Sequence, residues 1–174
     1  MTPDRFETPR LRSCKGSELR LSRAALVDLM RAVLAQGRPF RFCARGWSMS
    51  PFIKDGDLIT VAPIRPAACG IGEVVAFVMP ANDRLVVHRI IGRHESRLLV
   101  HGDSLPRPTA DLVNPADVIG RVARVERGRR RVWLGLGLER YAIAVLSRVG
   151  LLLPILLRAG GLARWLRKQP NDNN

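Results

Sequence analysis

Lysine is nearly missing from this chain: only Lys15, Lys54 and Lys168 stand among the 29 basic residues of 174. The net charge of +14 therefore rests on arginine, and chemistry that needs a lysine base has three places to find one. Cysteine is just as sparse. Cys14, Cys43 and Cys69 are odd in number, with no CxxC spacing and no accompanying histidine cluster, so neither a disulfide framework nor a metal site is expected, and a reducing compartment is the simpler inference. A long apolar run is also missing at the start. The first thirty residues carry Asp4, Glu7 and several arginines, so neither a cleavable signal peptide nor an N-terminal anchor is expected there. There is no internal repeat and no low-complexity tract.

What is present suffices for one domain with a real core and a modest appendage. Residues 1–39 read as an extension with one amphipathic helix. Ser22 caps it, Leu26, Leu29, Met30, Val33 and Leu34 follow helical spacing, and Gly37 and Pro39 stop it. Residues 40–135 read as short strands: Phe40–Ala44, Leu58–Ala62, Glu73–Met79, Leu85–Ile91, Arg97–His101, Val118–Glu126 and Arg131–Leu134. Turns fall at Asp55-Gly56-Asp57, Pro80-Ala81-Asn82-Asp83 and Arg127-Gly128-Arg129. The expected fold class is mainly β, a compact antiparallel sheet or partly open barrel. Residues 136–174 read as an apolar and basic helical tail in which Gly160-Gly161 separates Tyr141–Leu157 from Leu162–Lys168. With Arg148 and Pro154 inside it, Tyr141–Leu157 is a poor span. It either packs on its own domain or in a dimer, or lies on an anionic membrane surface with its arginines toward the headgroups.

Two residue groups carry chemistry. Gly46-Trp47-Ser48-Met49-Ser50-Pro51 offers a serine on a glycine-preceded turn, where Gly46 lets a substrate backbone approach and Pro51 stiffens the exit. A serine hydroxyl becomes a nucleophile only when a base takes its proton and donors receive the oxyanion. The base is offered by His88 in Leu85-Val86-Val87-His88-Arg89-Ile90-Ile91-Gly92. An imidazole with an ordinary pKa of about 6.5 is already mostly neutral at pH 7. On their own, a turn-forming serine and a strand histidine with a satisfied hydrogen bond would read the same way. His94 and His101 read as surface or strand residues.

Six ordered segments between residues 42 and 125 carry a resemblance. They are Gly46-x-Ser48-Met49-x-Pro51, Gly56-Asp57-Leu58-Ile59, Gly72-Glu73-Val74-Val75-Ala76-Phe77, Val87-His88-Arg89-Ile90-Ile91-Gly92, His101-Gly102-Asp103-Ser104 and Val118-Ile119-Gly120-Arg121-Val122. In this order they resemble the successive boxes of the signal peptidase I superfamily, in its serine–histidine branch. The resemblance implies a serine endopeptidase without cofactor, with Ser48 as nucleophile, Ser50 as bystander and His88 in the position where most bacterial members carry lysine. Lys15, Lys54 and Lys168 all lie outside that box. It implies an aspartate that orients His88, either Asp103 or Asp111, with Asp103 preferred for its place at a strand end. It further implies that Gly46 and Met49 belong to the substrate and oxyanion region, where Gly46 replaces the serine or threonine of many bacterial members and leaves the oxyanion to backbone donors. With only fourteen residues between His88 and Asp103, the large insertion of many bacterial enzymes is missing.

The expected partner is an extended peptide, part of a preprotein or a leader peptide, added as a strand beside a sheet edge; the resemblance implies small side chains before the scissile bond. Expected localisation is cytoplasmic or membrane-associated. Two other classes stand beside the peptidase: a self-cleaving regulatory protease of the SOS-repressor type, and a non-enzymatic basic module on nucleic acid or lipid. Nucleic acid is the less expected partner, since the arginines are scattered apart from Arg127, Arg129, Arg130 and Arg131.

Overall fold

The computed structural model describes residues 23–65, 68–79, 84–106 and 110–167. It is mainly β, as expected, with eight antiparallel strands: β1 Phe40–Cys43, β2 Leu58–Ala62, β3 Val74–Met79, β4 Arg84–His94, β5 Arg97–His101, β6 Asp111–Val113, β7 Val118–Arg127 and β8 Arg130–Val132. Helix α1, Arg23–Ala35, precedes the sheet; α2, Arg140–Val149, and α3, Leu152–Arg167, follow it. The strand order is β1-β2-β7-β3-β4-β5-β6, with β8 paired to β7, in a curled half-barrel.

Strand β3 reads Val-Val-Ala-Phe-Val-Met, apolar throughout, because both its faces are covered. One face joins Met30, Leu34, Met49, Ile59, Val61, Val74, Ala76 and Val125; the other joins Val75, Phe77, Ile90, Leu98, Val100 and Val113. Helix α1 closes the first of these cores with Val27, Met30 and Leu34. Leu29, expected among its inward residues, is exposed, because Val27 takes the inward position. The expected Ser22 cap and the Pro80–Asp83 turn lie outside the described residues.

Three further expectations are corrected. Strand β6 was not foreseen, since it is three residues long and begins with an aspartate. Gly160-Gly161 does not separate two helices, for α3 runs through both glycines. Cys43 is disulfide-bonded, whereas Cys69 is a buried free thiol. Lone cysteines far apart in sequence give no spacing signal of such a bond.

The break between α2 and α3 falls at Gly150, which takes the left-handed conformation at φ 80° that ends helices. A third apolar cluster of Phe52, Ile143 and Leu152 fastens these helices to the segment that follows the Gly46–Pro51 turn. Among the described residues no single helix is long and apolar enough to cross a membrane, and the α2–α3 pair is bent by 109°.

Candidate active site

Four antiparallel steps separate β1 from β4 in the sheet order, so the two strands run in the same direction. Each leads to a residue expected to be catalytic, β1 through the turn that follows it and β4 within its own length. The chain leaves β1 through Ala44 and Arg45 into the Gly46–Pro51 turn with Ser48, and β4 reaches His88 at its fifth position. Among the described residues strand β1 pairs with β2 alone, and β5 pairs with β4 only from Arg89 onward. Beside Leu85–His88, on the side away from β3, there is therefore no strand among the described residues. The sheet curls until these two edges face one cleft of about 700 Å³, lined by Phe42–Met49 on one side and Arg84–His88 on the other, with Ile53, Ile59 and Leu105 among the apolar residues that also line it.

The turn that carries Ser48 is held from three sides. Gly46, at φ 98°, donates its amide to Asp55 Oδ1 at 2.9 Å, and a side chain would be strained in that conformation. Ser104 donates its amide to the Ser48 carbonyl at 2.9 Å and its hydroxyl to the Trp47 carbonyl at 2.5 Å. Gly102 lies so close that a Cβ there would stand 2.8 Å from the same Ser48 carbonyl. From below, Arg127 binds both carboxylate oxygens of buried Asp57 at 2.9 and 2.8 Å and donates to the carbonyls of Pro51 and Phe52 at 3.3 Å. The Gly46 amide is engaged, and the Ser50 amide donates to Trp47 at 2.9 Å. The Ser48 amide is thus the nearest candidate oxyanion donor. Met49 is buried in the core and lines the cleft, so its role there is that of floor.

His88 is buried, edge-on to Phe77 with ring centroids 6.1 Å apart. Burial, and after it the charge of His101, lowers its pKa from 6.5 to about 4, so the imidazole is neutral and able to accept a proton at pH 7. Among the described residues its Nδ1 has no hydrogen-bond partner, and the Asp111 carboxylate stands 4.0 Å away. Asp111 is half-buried on β6, and burial pushes its carboxyl up.

Asp103, the preferred orienter, is engaged by a different side chain in this structure. Asp103 is fully buried and bound bidentately by Arg89, whose Nη1 also donates to the carbonyls of Gly72 and Gly135 at 2.9 and 2.8 Å. Arg89 follows His88 directly, and successive strand residues leave opposite faces of the sheet. The charge that Asp103 serves is therefore on the other side from the imidazole. His101 is a buried strand residue whose Nδ1 lies 3.0 Å from the Ser147 hydroxyl on α2. His94 and Lys54 are exposed.

Arg89, Asp57, Arg127 and Ser104 support the site without having been singled out. The first, second and fourth sat inside the motif segments, but Asp57 and Arg127 are 70 residues apart and nothing local announces their pairing. Among the described residues no group of three or more His, Cys, Asp and Glu is placed to hold a metal ion. No protein family, curated protein or solved structure matches this chain.

Proposed function

We propose that this protein is a serine endopeptidase of the signal peptidase I type that takes its substrate as an extended strand. The observation that carries the reading is the cleft between two co-directional strand edges, β1 and the first half of β4, with Ser48 and His88 lining it together. A peptide laid there hydrogen-bonds to main chain on both sides and completes the sheet, which gives affinity with little demand on its sequence. The apolar lining around Met49, Ile59 and Leu85 then selects small or apolar side chains.

In this reading His88 accepts the Ser48 hydroxyl proton as Oγ attacks the scissile carbonyl, and the Ser48 amide donates to the oxyanion. Collapse of the tetrahedral intermediate breaks the C–N bond, the imidazolium returns its proton to the leaving amine, and water then hydrolyses the acyl-enzyme by the same route in reverse. Asp111 is the orienter, drawing toward Nδ1 as the imidazole gains charge. The test is covalent labelling of Ser48 by an acylating serine-peptidase probe, located by mass spectrometry, together with cleavage of a peptide library. Labelling that survives Ser48→Ala, or turnover undiminished in His88→Ala, rejects the reading.

A further inference from the structure

The C-terminal helices are apolar on a side that the fold does not use. Helix α2 buries Ile143, Ala144 and Ser147 against the protein. Tyr141, Val145 and Val149 lie within about 80° of arc on the opposite side, at 3.6 residues per turn, and all three are exposed. The same exposure extends to both neighbours of α2 in the chain. Trp133, Leu134 and Leu138 precede it at 66%, 61% and 86% exposure, and Leu151, Ile155 and Leu157 follow it. Single exposed apolar residues need no explanation, but nine large ones within 25 residues do.

The charges around this run have one sign. Arg129, Arg130, Arg131 and Arg158 are exposed at its two ends, and the Arg131 guanidinium lies 3.7 Å over the Trp133 ring. The one acid between residues 129 and 159 is Glu139. Its carboxylate accepts from the amides of Gly135 and Gly137 at 2.7 and 2.9 Å, backbone bonds that hold it in its charged form, so it is a single negative charge among these arginines.

We infer that this face is a docking surface for an anionic lipid bilayer, with the apolar side chains entering the headgroup boundary and the arginines meeting lipid phosphate. A second copy of the chain fits less well, because its symmetric contact would set Arg129, Arg130, Arg131 and Arg158 against the same four arginines, with Glu139 as the one carboxylate each copy brings. Passage through the bilayer is opposed by two facts: α2 is fastened to the protein by its inner face, and it meets α3 at a bend of 109°. A helix apolar outside and held inside lies in the interface rather than across it. An arginine stacked on an interfacial tryptophan suits that boundary, where the ring is half wet and the guanidinium reaches phosphate. The inference stands apart from the chemistry at Ser48.

The test is co-sedimentation of the full chain with vesicles of phosphatidylcholine alone and of phosphatidylcholine with roughly a third phosphatidylglycerol, at low and high salt. Stronger binding to the anionic vesicles is expected, weakened by salt as surface charge is screened. Val145→Asp with Val149→Asp is expected to lower the vesicle affinity by more than tenfold while the circular dichroism spectrum and melting temperature stay unchanged. Should that pair fail to fold, Val145→Ser with Val149→Ser serves instead. Replacing Arg129, Arg130 and Arg131 with glutamine is expected to remove the preference for anionic vesicles. Unaltered binding by the folded Val145/Val149 variants, or no binding to either vesicle, overturns the inference. So does a dimer in solution that those variants split, since a second copy would then be the occupant.

Discussion

Arg89 grips Asp103 through both carboxylate oxygens, Nε to Oδ1 at 2.8 Å and Nη2 to Oδ2 at 2.7 Å, with the two side chains wholly enclosed. Burial pushes the Asp103 carboxyl up and the guanidinium pulls it back, so the pair is stable only as a pair. Asp103→Asn strands a buried cation and is expected to cost roughly 3–5 kcal/mol of folding stability. Denaturant unfolding of the variant checks this; unchanged stability with lost peptidase activity would return Asp103 to the role of orienter.

Asp111→Asn has the opposite expected signature. The side chain is half-buried and 4.0 Å from His88 Nδ1, so folding changes little. Loss of an orienting carboxylate is expected to lower kcat by on the order of 10²-fold or more, with KM held. Steady-state kinetics beside a melting curve separates the two aspartates.

The depressed pKa of His88 sets the pH dependence. The acid limb of kcat/KM is expected near pH 4 rather than at 6.5, because the free imidazole does not protonate until then. For stability, the unfolded chain binds the His88 proton below about 6.5 and the folded chain only below about 4. Stability from keeping His88 neutral is thus fully present above 6.5 and is lost as pH falls between these values, by on the order of 3 kcal/mol. Melting temperatures from pH 7 to pH 4 should fall less steeply for His88→Gln than for the unaltered chain.

Gly102→Ala is a test of close packing against the nucleophile. The added Cβ would meet the Ser48 carbonyl at 2.8 Å and the Leu105 side chain at similar range. Relief requires the turn to shift, and a displacement of about 1 Å can cost on the order of 10²-fold in rate. Labelling of Ser48 by the acylating probe should slow correspondingly while the overall fold persists.

Arg127 acts on the turn through Pro51 and Phe52. Arg127→Lys keeps the charge but not the planar fork that spans Asp57 and the two carbonyls. A loss of roughly 1–3 kcal/mol in stability is expected, with a larger effect on kcat than on KM. Equal stability and equal kcat in the lysine variant would show that the fork is dispensable.

The strand pattern was legible because Leu58–Ala62, Val74–Met79 and Arg97–His101 are compact β-branched and apolar runs bounded by turns. Strand β6 was not, for Asp111-Leu112-Val113 gains its conformation by pairing with Leu98–Val100 rather than from its own propensity. Helix α3 likewise passes through two glycines that locally oppose it. Ser48 and His88 could be singled out by residue type and order. The choice between Asp103 and Asp111 could not, because it turns on which face of β4 each carboxylate meets, and that depends on the partner of Arg89. Asp57–Arg127 lay hidden for the same reason: its two halves meet only after β2 and β7 pair.

His88 and Arg89 are consecutive, and this couples correct folding to competence. If β4 slipped by one residue against β3, a guanidinium would enter the cleft in place of the imidazole, and the imidazole would face Asp103 across the sheet. Under the proposed peptidase mechanism, one error would remove the base and the internal ion pair together. A misregistered molecule would then be unstable as well as inert, and would be open to degradation before it could occupy substrate without turning it over.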